Sequence, residues 1–164
     1  MNLVEAAAEA DAFAQRGAER ELAELRSQWS DEIESAARAS DYRARAAAYR
    51  AVGQFRFRQK LELLRRGLED ESPACRGSAL VSLELLSRDA PGPVNAVRPM
   101  LHTLATGDPH QAVRRLAIVC LKNGSPQRDT IVLLQGLADS DDEEQELRAA
   151  AKRVVDGLRR KAAR

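Results

Sequence analysis

LEDESPACRGSALVSL, residues 68–83, holds a short acidic turn, a Ser-Pro pair and an arginine followed by apolar residues at helical spacing. Two similar stretches follow, LATGDPHQAVRRLAIVCL at 104–121 and LADSDDEEQELRAAAKRVV at 137–155. A repeat of about 30 to 40 residues is the signature of helical repeat proteins, in which each copy is one supersecondary unit. We call the arginine at this place in each copy the anchor. The four anchors are Arg45, Arg76, Arg114 and Arg148.

Each anchor arginine is followed by the same apolar pattern, which predicts one helix with a buried face. An alanine stands three residues after the anchor, and a valine or leucine stands seven after it. These positions share one side of an α-helix. The predicted core positions are Ala48, Ala79, Ala117 and Ala151, then Val52, Leu83, Leu121 and Val155, and ten residues after the anchor Phe55, Leu86 and Leu158, while Gly124 departs from the pattern in the third copy.

A second helix is predicted before each anchor, joined to it by an acidic turn at 39–41, 69–73, 106–109 and 139–144. Its apolar positions are Ile33 and Ala37, Leu64 and Leu68, Met100 and Leu104, and Leu133 and Leu137. Ser72-Pro73 and Asp108-Pro109 have the form of an N-cap followed by proline at the first helical position, and Ser125-Pro126 has the same form before the last pair. Four helical hairpins are therefore expected.

These residues resemble HEAT-like repeats, in particular the phycobilisome lyase type, over about residues 30–160. The fold that the resemblance implies is all-α, a right-handed α-solenoid of about four HEAT-like hairpins with an N-terminal helical extension. It also implies a ladder of aspartate and arginine that links neighbouring units. In this chain the ladder pairs would be Asp70 with Arg76, Asp108 with Arg114, and Asp142 with Arg148.

Length and composition fit one domain of 164 residues whose apolar share leans on alanine and leucine, both good helix formers. Residues 1–29 are expected to be an N-terminal helical cap or extension, with a break near Gly17, and 30–164 the HEAT-like repeat domain. The first 28 residues either fold back on the repeats or are offered to a partner. No targeting or membrane segment is recognised, so the expected location is cytoplasmic. Cys75 and Cys120 are expected to be buried thiols.

Catalysis is not expected. Only two histidines occur, His102 and His110, and no metal-ligand spacing or phosphate-binding glycine loop is present. The chain is therefore predicted to be no enzyme and to need no cofactor or metal.

Charge leaves nucleic-acid binding open as an alternative. The net charge of +1 is uneven, at −5 over 1–40, +6 over 41–68, −6 over 69–147 and +6 over 148–164. The stretch Phe55 to Lys60 alternates aromatic and basic residues, as platforms for single strands do, although Phe55 falls on the predicted core face. HEAT-like alkylpurine DNA glycosylases are also similar, but their catalytic residues have no counterpart that can be placed here.

The favoured function is binding of another protein, either a helix or a peptide, on a concave face formed by the second helices. Positions five and nine after the anchors point away from the core, and in the middle hairpins three of the four are apolar, with Asn123 the exception. Such a strip, with arginines beside it, suits a groove for an amphipathic helix. The predicted binding residues are Arg50, Val81, Leu85, Arg115, Val119 and Arg153. A lyase-like or chaperone role toward a modified protein is a further alternative.

Overall fold

The computed structural model describes all residues, 1–164, and every regular element is helical. The all-α prediction is thereby confirmed. The helices are α1 (Leu3–Gln15), α2 (Glu19–Ala36), α3 (Tyr42–Gln54), α4 (Leu61–Leu68), α5 (Pro73–Leu86), α6 (Gly92–Asn95), α7 (Arg98–Gly107), α8 (Gln111–Leu121), α9 (Arg128–Asp139) and α10 (Gln145–Ala162). A short 3-10 turn, Arg58–Lys60, precedes α4.

The chain divides into two compact units, residues 1–86 and 87–164, here called unit 1 and unit 2. Unit 1 holds hairpin 1 (α2 and α3) and hairpin 2 (α4 and α5), with α3 packed along α5 and α1 packed on α2 and α3. Unit 2 holds hairpin 3 (α7 and α8) and hairpin 4 (α9 and α10), with α8 packed against α10. Each unit therefore joins two hairpins mainly through their second helices.

The anchor arginine occupies the same place in all four hairpins, the fourth position of the second helix. As a result, the alanines three residues after the anchors are all fully buried, and so is the face seven and ten residues after them. The largest of these side chains, Phe55, is 0 % exposed. The predicted core of the second helices is confirmed at every position.

The predicted core of the first helices is right in hairpins 1 and 2 and wrong in hairpins 3 and 4. Met100, Leu104, Leu133 and Leu137 are only partly buried, whereas Leu101, Ala105 and Leu134 are 0 % exposed. The true core is shifted by one residue, which turns the side chain by about 100° around a helix. In each pair, the predicted residue nearer the anchor lies eight to eleven positions before it, and because the turns differ in length, this offset does not decide between neighbouring apolar residues.

Two of the three predicted helix starts are displaced by two residues. Helix α5 begins at Pro73 as predicted, but α8 begins at Gln111 rather than Pro109, and α9 at Arg128 rather than Pro126. The reason in α8 is a local turn, in which the Asp108 carboxylate accepts the N–H of His110 at 2.9 Å and delays the helix.

The N-terminal segment is broken where glycine predicts a break. Helix α1 ends at Gln15, and Gly17 follows with φ of 72°, a left-handed conformation that favours glycine. The side of α1 that faces its neighbours is lined by small residues, since Ala6, Ala7 and Ala10 are at most 2 % exposed. Helix α2 then runs without interruption across positions 29 and 30.

No helix in the chain combines the length and the apolar character that crossing a bilayer requires.

Candidate functional site

The anchor arginines bind the turn of their own hairpin through its backbone. Arg45 Nη1 donates to the carbonyl oxygens of Ala39 at 3.0 Å and Ser40 at 2.9 Å. Arg76 Nη1 does the same to the carbonyls of Asp70 and Glu71. In unit 2, the Nε atoms of Arg114 and Arg148 donate to the carbonyls of Ala105 and Ala138. The anchors of unit 2 thus cap the last turns of α7 and α9, where unpaired carbonyls lie, whereas Arg45 and Arg76 bind the turn that follows the helix.

Arg45 and Arg114 pair with carboxylates of the next hairpin, and not with the carboxylates that the resemblance implied. Arg45 of hairpin 1 forms a two-pronged ion pair with Asp70 of hairpin 2, with Nε to Oδ2 at 2.9 Å and Nη2 to Oδ1 at 3.1 Å. Arg114 of hairpin 3 pairs with Glu143 in the turn of hairpin 4 through a single contact, from Nη2 to Oε2. The ladder within each unit therefore runs from one hairpin to the next.

All three implied ladder pairs are corrected by this geometry. Arg76 contacts the backbone carbonyl of Asp70, not its carboxylate, and Arg114 takes Glu143 instead of Asp108. Arg148 lies 3.6 Å from Asp141 rather than pairing with Asp142. The physical reason is reach, because an arginine on the first turn of a helix folds back onto its own turn and meets carbonyls there.

Asp70 is the best-held carboxylate of this ladder, with a side chain 8 % exposed. Burial by itself raises the pKa of Asp70, but hydrogen bonds from Arg45 and from the Ser72 amide outweigh it, so the pKa lies below its ordinary value. The hydrogen bonds that Arg45 donates to Asp70 raise the pKa of Arg45. The pair is ionised throughout the neutral range and fixes hairpin 1 to hairpin 2.

The six predicted binding residues fall three in each unit. In unit 1, Val81 and Leu85 lie one turn apart on α5 and are half-buried, and Arg50 lies on the neighbouring helix α3 and is also half-buried. The two helices touch here, because the Ser82 hydroxyl is 3.1 Å from the Arg50 carbonyl oxygen. Arg50, Val81 and Leu85 are named the unit 1 face below.

One atom of the unit 1 face has no partner. Nη1 of Arg50 is buried and makes no hydrogen bond. A guanidinium stays charged at any physiological pH, and an unpaired buried donor of a charged group is costly. Arg50 also has no carboxylate partner, so a carboxylate placed beside this half-buried side chain would offset its charge.

In unit 2, Arg115 and Val119 lie one turn apart on α8, and Arg153 is exposed on α10. Val119 is half-buried. Arg115 lies 3.6 Å from the carboxylate of Glu146, which is 80 % exposed, so the pair is held loosely in solvent.

The aromatic and basic stretch after α3 is structural. Phe55 is 0 % and Phe57 8 % exposed, and Lys60 pairs with Glu34 at 2.8 Å while its ammonium lies 4.8 Å from the Phe57 ring. Arg58 donates to the carbonyl of Leu86 at 2.7 Å. The rings are therefore not available as a stacking platform for bases, in agreement with the prediction that they pack in the core.

A buried polar cluster in unit 2 was missed by sequence reasoning. Arg98, 5 % exposed, donates to the Thr130 hydroxyl at 2.8 Å and the Ser125 carbonyl at 2.9 Å, and it also binds the Asn95 side chain. The Thr130 hydroxyl in turn lies 2.8 Å from Nε2 of His102. Burial lowers the pKa of Arg98, and it lowers the pKa of His102 as well. Nothing in the sequence separates Arg98 from the other basic residues.

The two cysteines and His110 are the remaining candidate residues. Cys75 and Cys120 are both 0 % exposed, as predicted, and burial raises the pKa of Cys75. His110 is exposed next to Asp108. No group of three or more histidine, cysteine or carboxylate side chains converges in a way that would hold a metal ion.

The chain matches no protein-family model, and a search of curated protein sequences finds no match.

Proposed function

We propose that this chain is a non-catalytic interaction module of the cytoplasm, made of four HEAT-like hairpins, that binds a helix or peptide of another protein. The binding surface is the outward side of the second helices. Of its two parts, the unit 1 face is defined best, because Arg50, Val81 and Leu85 belong to two helices in direct contact.

The observation that carries this proposal is the combination of half-buried aliphatic side chains with a half-buried arginine that has no carboxylate partner. Both aliphatic side chains are half-buried, so part of each one stays exposed beside the core residues Ala79 and Leu83. They remain free to contact the apolar side of a partner helix. The Arg50 guanidinium then selects a partner with an acidic residue beside its apolar side chains, because an ion pair shielded from water is specific.

A random peptide library displayed on phage tests the proposal without knowledge of the natural partner. We expect the selected peptides to carry a carboxylate among apolar residues at helical spacing. Val81→Asp should weaken their binding at least tenfold, since it places a charge on the apolar contact. Val132→Asp is the matched control, because Val132 is 60 % exposed on α9 and is not one of the proposed binding residues, so the same substitution there should leave binding unchanged.

Arg50→Gln provides the second arm. It should reduce affinity for the acidic peptides by about tenfold and also reduce the dependence of affinity on salt. The proposal is wrong if Val81→Asp and Val132→Asp behave alike while both stay folded by circular dichroism.

Nucleic-acid binding is the second candidate, and one observation favours it. Five cations of α10 are exposed: Lys152, Arg153, Arg159, Arg160 and Lys161. If they bind phosphates, affinity for a DNA or RNA oligonucleotide should fall steeply with salt, because each phosphate contact releases condensed counterions. Absence of binding at low salt would remove this candidate.

A further inference from the structure

Unit 2 contains a cavity of about 350 Å³ that no predicted site residue lines. Its walls are the segment 87–91, the turn 123–126 and the end of α10 with Lys161 and Arg164. Clefts that hold small ligands begin at about this volume. The cavity is therefore large enough for one small molecule.

The charge around this cavity is positive. Three of its side chains are cationic, Arg88, Lys161 and Arg164, and one is acidic, Asp89. The Lys161 ammonium donates to the backbone carbonyls of Lys122 and Gly124, the latter at 3.3 Å, and has no carboxylate partner. An ammonium group has three N–H donors, so one remains for a ligand.

The surroundings of Lys161 explain why an anion would be favoured there. Burial, followed by the charges of Arg164 and Lys122, lowers the pKa of Lys161. The two cationic neighbours thus destabilise the charged form of Lys161, and a bound anion would offset their repulsion. Ala90, Pro91 and Pro126 supply an apolar wall beside these cations.

We propose that this cavity binds a small organic phosphate, with the phosphate on Lys161 and Arg164 and the organic part against Ala90, Pro91 and Pro126. Cations at one end and an apolar wall at the other match a molecule with one anionic head and one apolar body. The cavity shares no residue with the unit 1 face, and the phosphate proposal does not depend on the proposed protein-binding function.

Calorimetry and thermal unfolding with phenyl phosphate and inorganic phosphate, each against sodium chloride at matched ionic strength, test the proposal. Phenyl phosphate should bind more tightly than inorganic phosphate and raise the unfolding temperature, and matched chloride should not. Lys161→Gln should weaken phenyl phosphate binding by about tenfold. Arg159→Gln, an exposed cation on the same helix, removes the same charge and should change the affinity less than twofold.

Because Lys161 also bonds to the carbonyls at the end of α8, Arg164→Gln is included as a variant that leaves those bonds in place. It should weaken binding several-fold with the fold intact. The proposal is overturned if neither phosphate binds, if Arg159→Gln weakens binding as much as Lys161→Gln, or if the two phosphates bind equally. Displacement of phenyl phosphate by an oligonucleotide at equal phosphate concentration would also overturn it. The phosphate group that the cavity recognises would then be that of a nucleic-acid backbone.

Discussion

Ser82 of α5 bridges a single turn of α3 at Gly53. Its hydroxyl oxygen accepts the Gly53 N–H at 3.0 Å and donates to the Tyr49 carbonyl oxygen at 2.6 Å. The donor and acceptor are the pair that an α-helix normally joins directly. A buried hydroxyl thereby has both of its hydrogen-bonding roles satisfied, and the two second helices of unit 1 approach closely.

Gly53→Ala should destabilise the protein by about 1–3 kcal/mol, because the added methyl group has no room. A Cβ at this position would lie 2.6 Å from the Ser82 hydroxyl and 2.8 Å from its Cα atom, so the backbone of α5 would have to move. Denaturant unfolding measures the loss. Gly136→Ala is the control, since a Cβ there meets nothing within 4 Å, and it should stabilise helix α9 by about 0.5–1 kcal/mol.

Arg114 and Arg115 are neighbours on α8 with very different surroundings, which makes them a matched pair. Arg114→Ala should cost about 2–4 kcal/mol, because it leaves the buried Ala105 carbonyl and the Glu143 carboxylate unpaired. Arg115→Ala should cost less than about 1 kcal/mol, since its partner Glu146 is largely in solvent. Equal losses for the two variants in a urea titration would contradict the role given to Arg114.

The Asp70 carboxylate should make stability depend on pH in the acid range. Its folded pKa is lower than the unfolded value of about 3.9, so the ion pair stabilises the fold fully above about pH 4 and is lost as pH falls through the folded pKa. Asp70→Asn should cost about 1–3 kcal/mol at pH 7, and the difference from wild type should shrink below pH 4. Glu62→Gln, at a 73 % exposed side chain, should show no such difference.

Both thiols should resist modification in the native protein. Cys75 and Cys120 are fully buried, and burial raises the pKa of Cys75, which lowers its thiolate fraction at neutral pH. A thiol reagent such as dithionitrobenzoate should therefore react with neither until denaturant is added, and then with both. Rapid reaction of one thiol in the absence of denaturant would show that the helix carrying it opens locally.

The second helices could be predicted from the sequence because one residue, the anchor arginine, marks the same helical position in each hairpin. From that point, a spacing of three and seven residues leads to Ala48 and Val52 in hairpin 1 and to their counterparts in the others. The first helices lack such a marker. Leu104 and Leu137 are apolar, but so are Leu101 and Leu134, and only the packed structure shows which of them turn inward.

The ladder partners could not be predicted in the same way, because they depend on distances between hairpins. The sequence shows that Asp70 is six residues before Arg76, and it does not show that Arg45 lies closer to its carboxylate. The Ser82 contact with Gly53 and the burial of Arg98 are likewise tertiary facts. Of the predicted binding residues, the structure brings Arg50, Val81 and Leu85 onto two touching helices, while their role stays a prediction.

The ion pair of Arg45 with Asp70, like that of Arg114 with Glu143, has a direction along the chain. The arginine belongs to the earlier hairpin of each pair, and the carboxylate belongs to the turn of the hairpin that follows it. A duplicated pair of hairpins, such as hairpins 1 and 2, would carry both halves of this connection with it. The gene could in this way lengthen by whole pairs of hairpins, and the arginine and carboxylate of each copied pair would keep their partners.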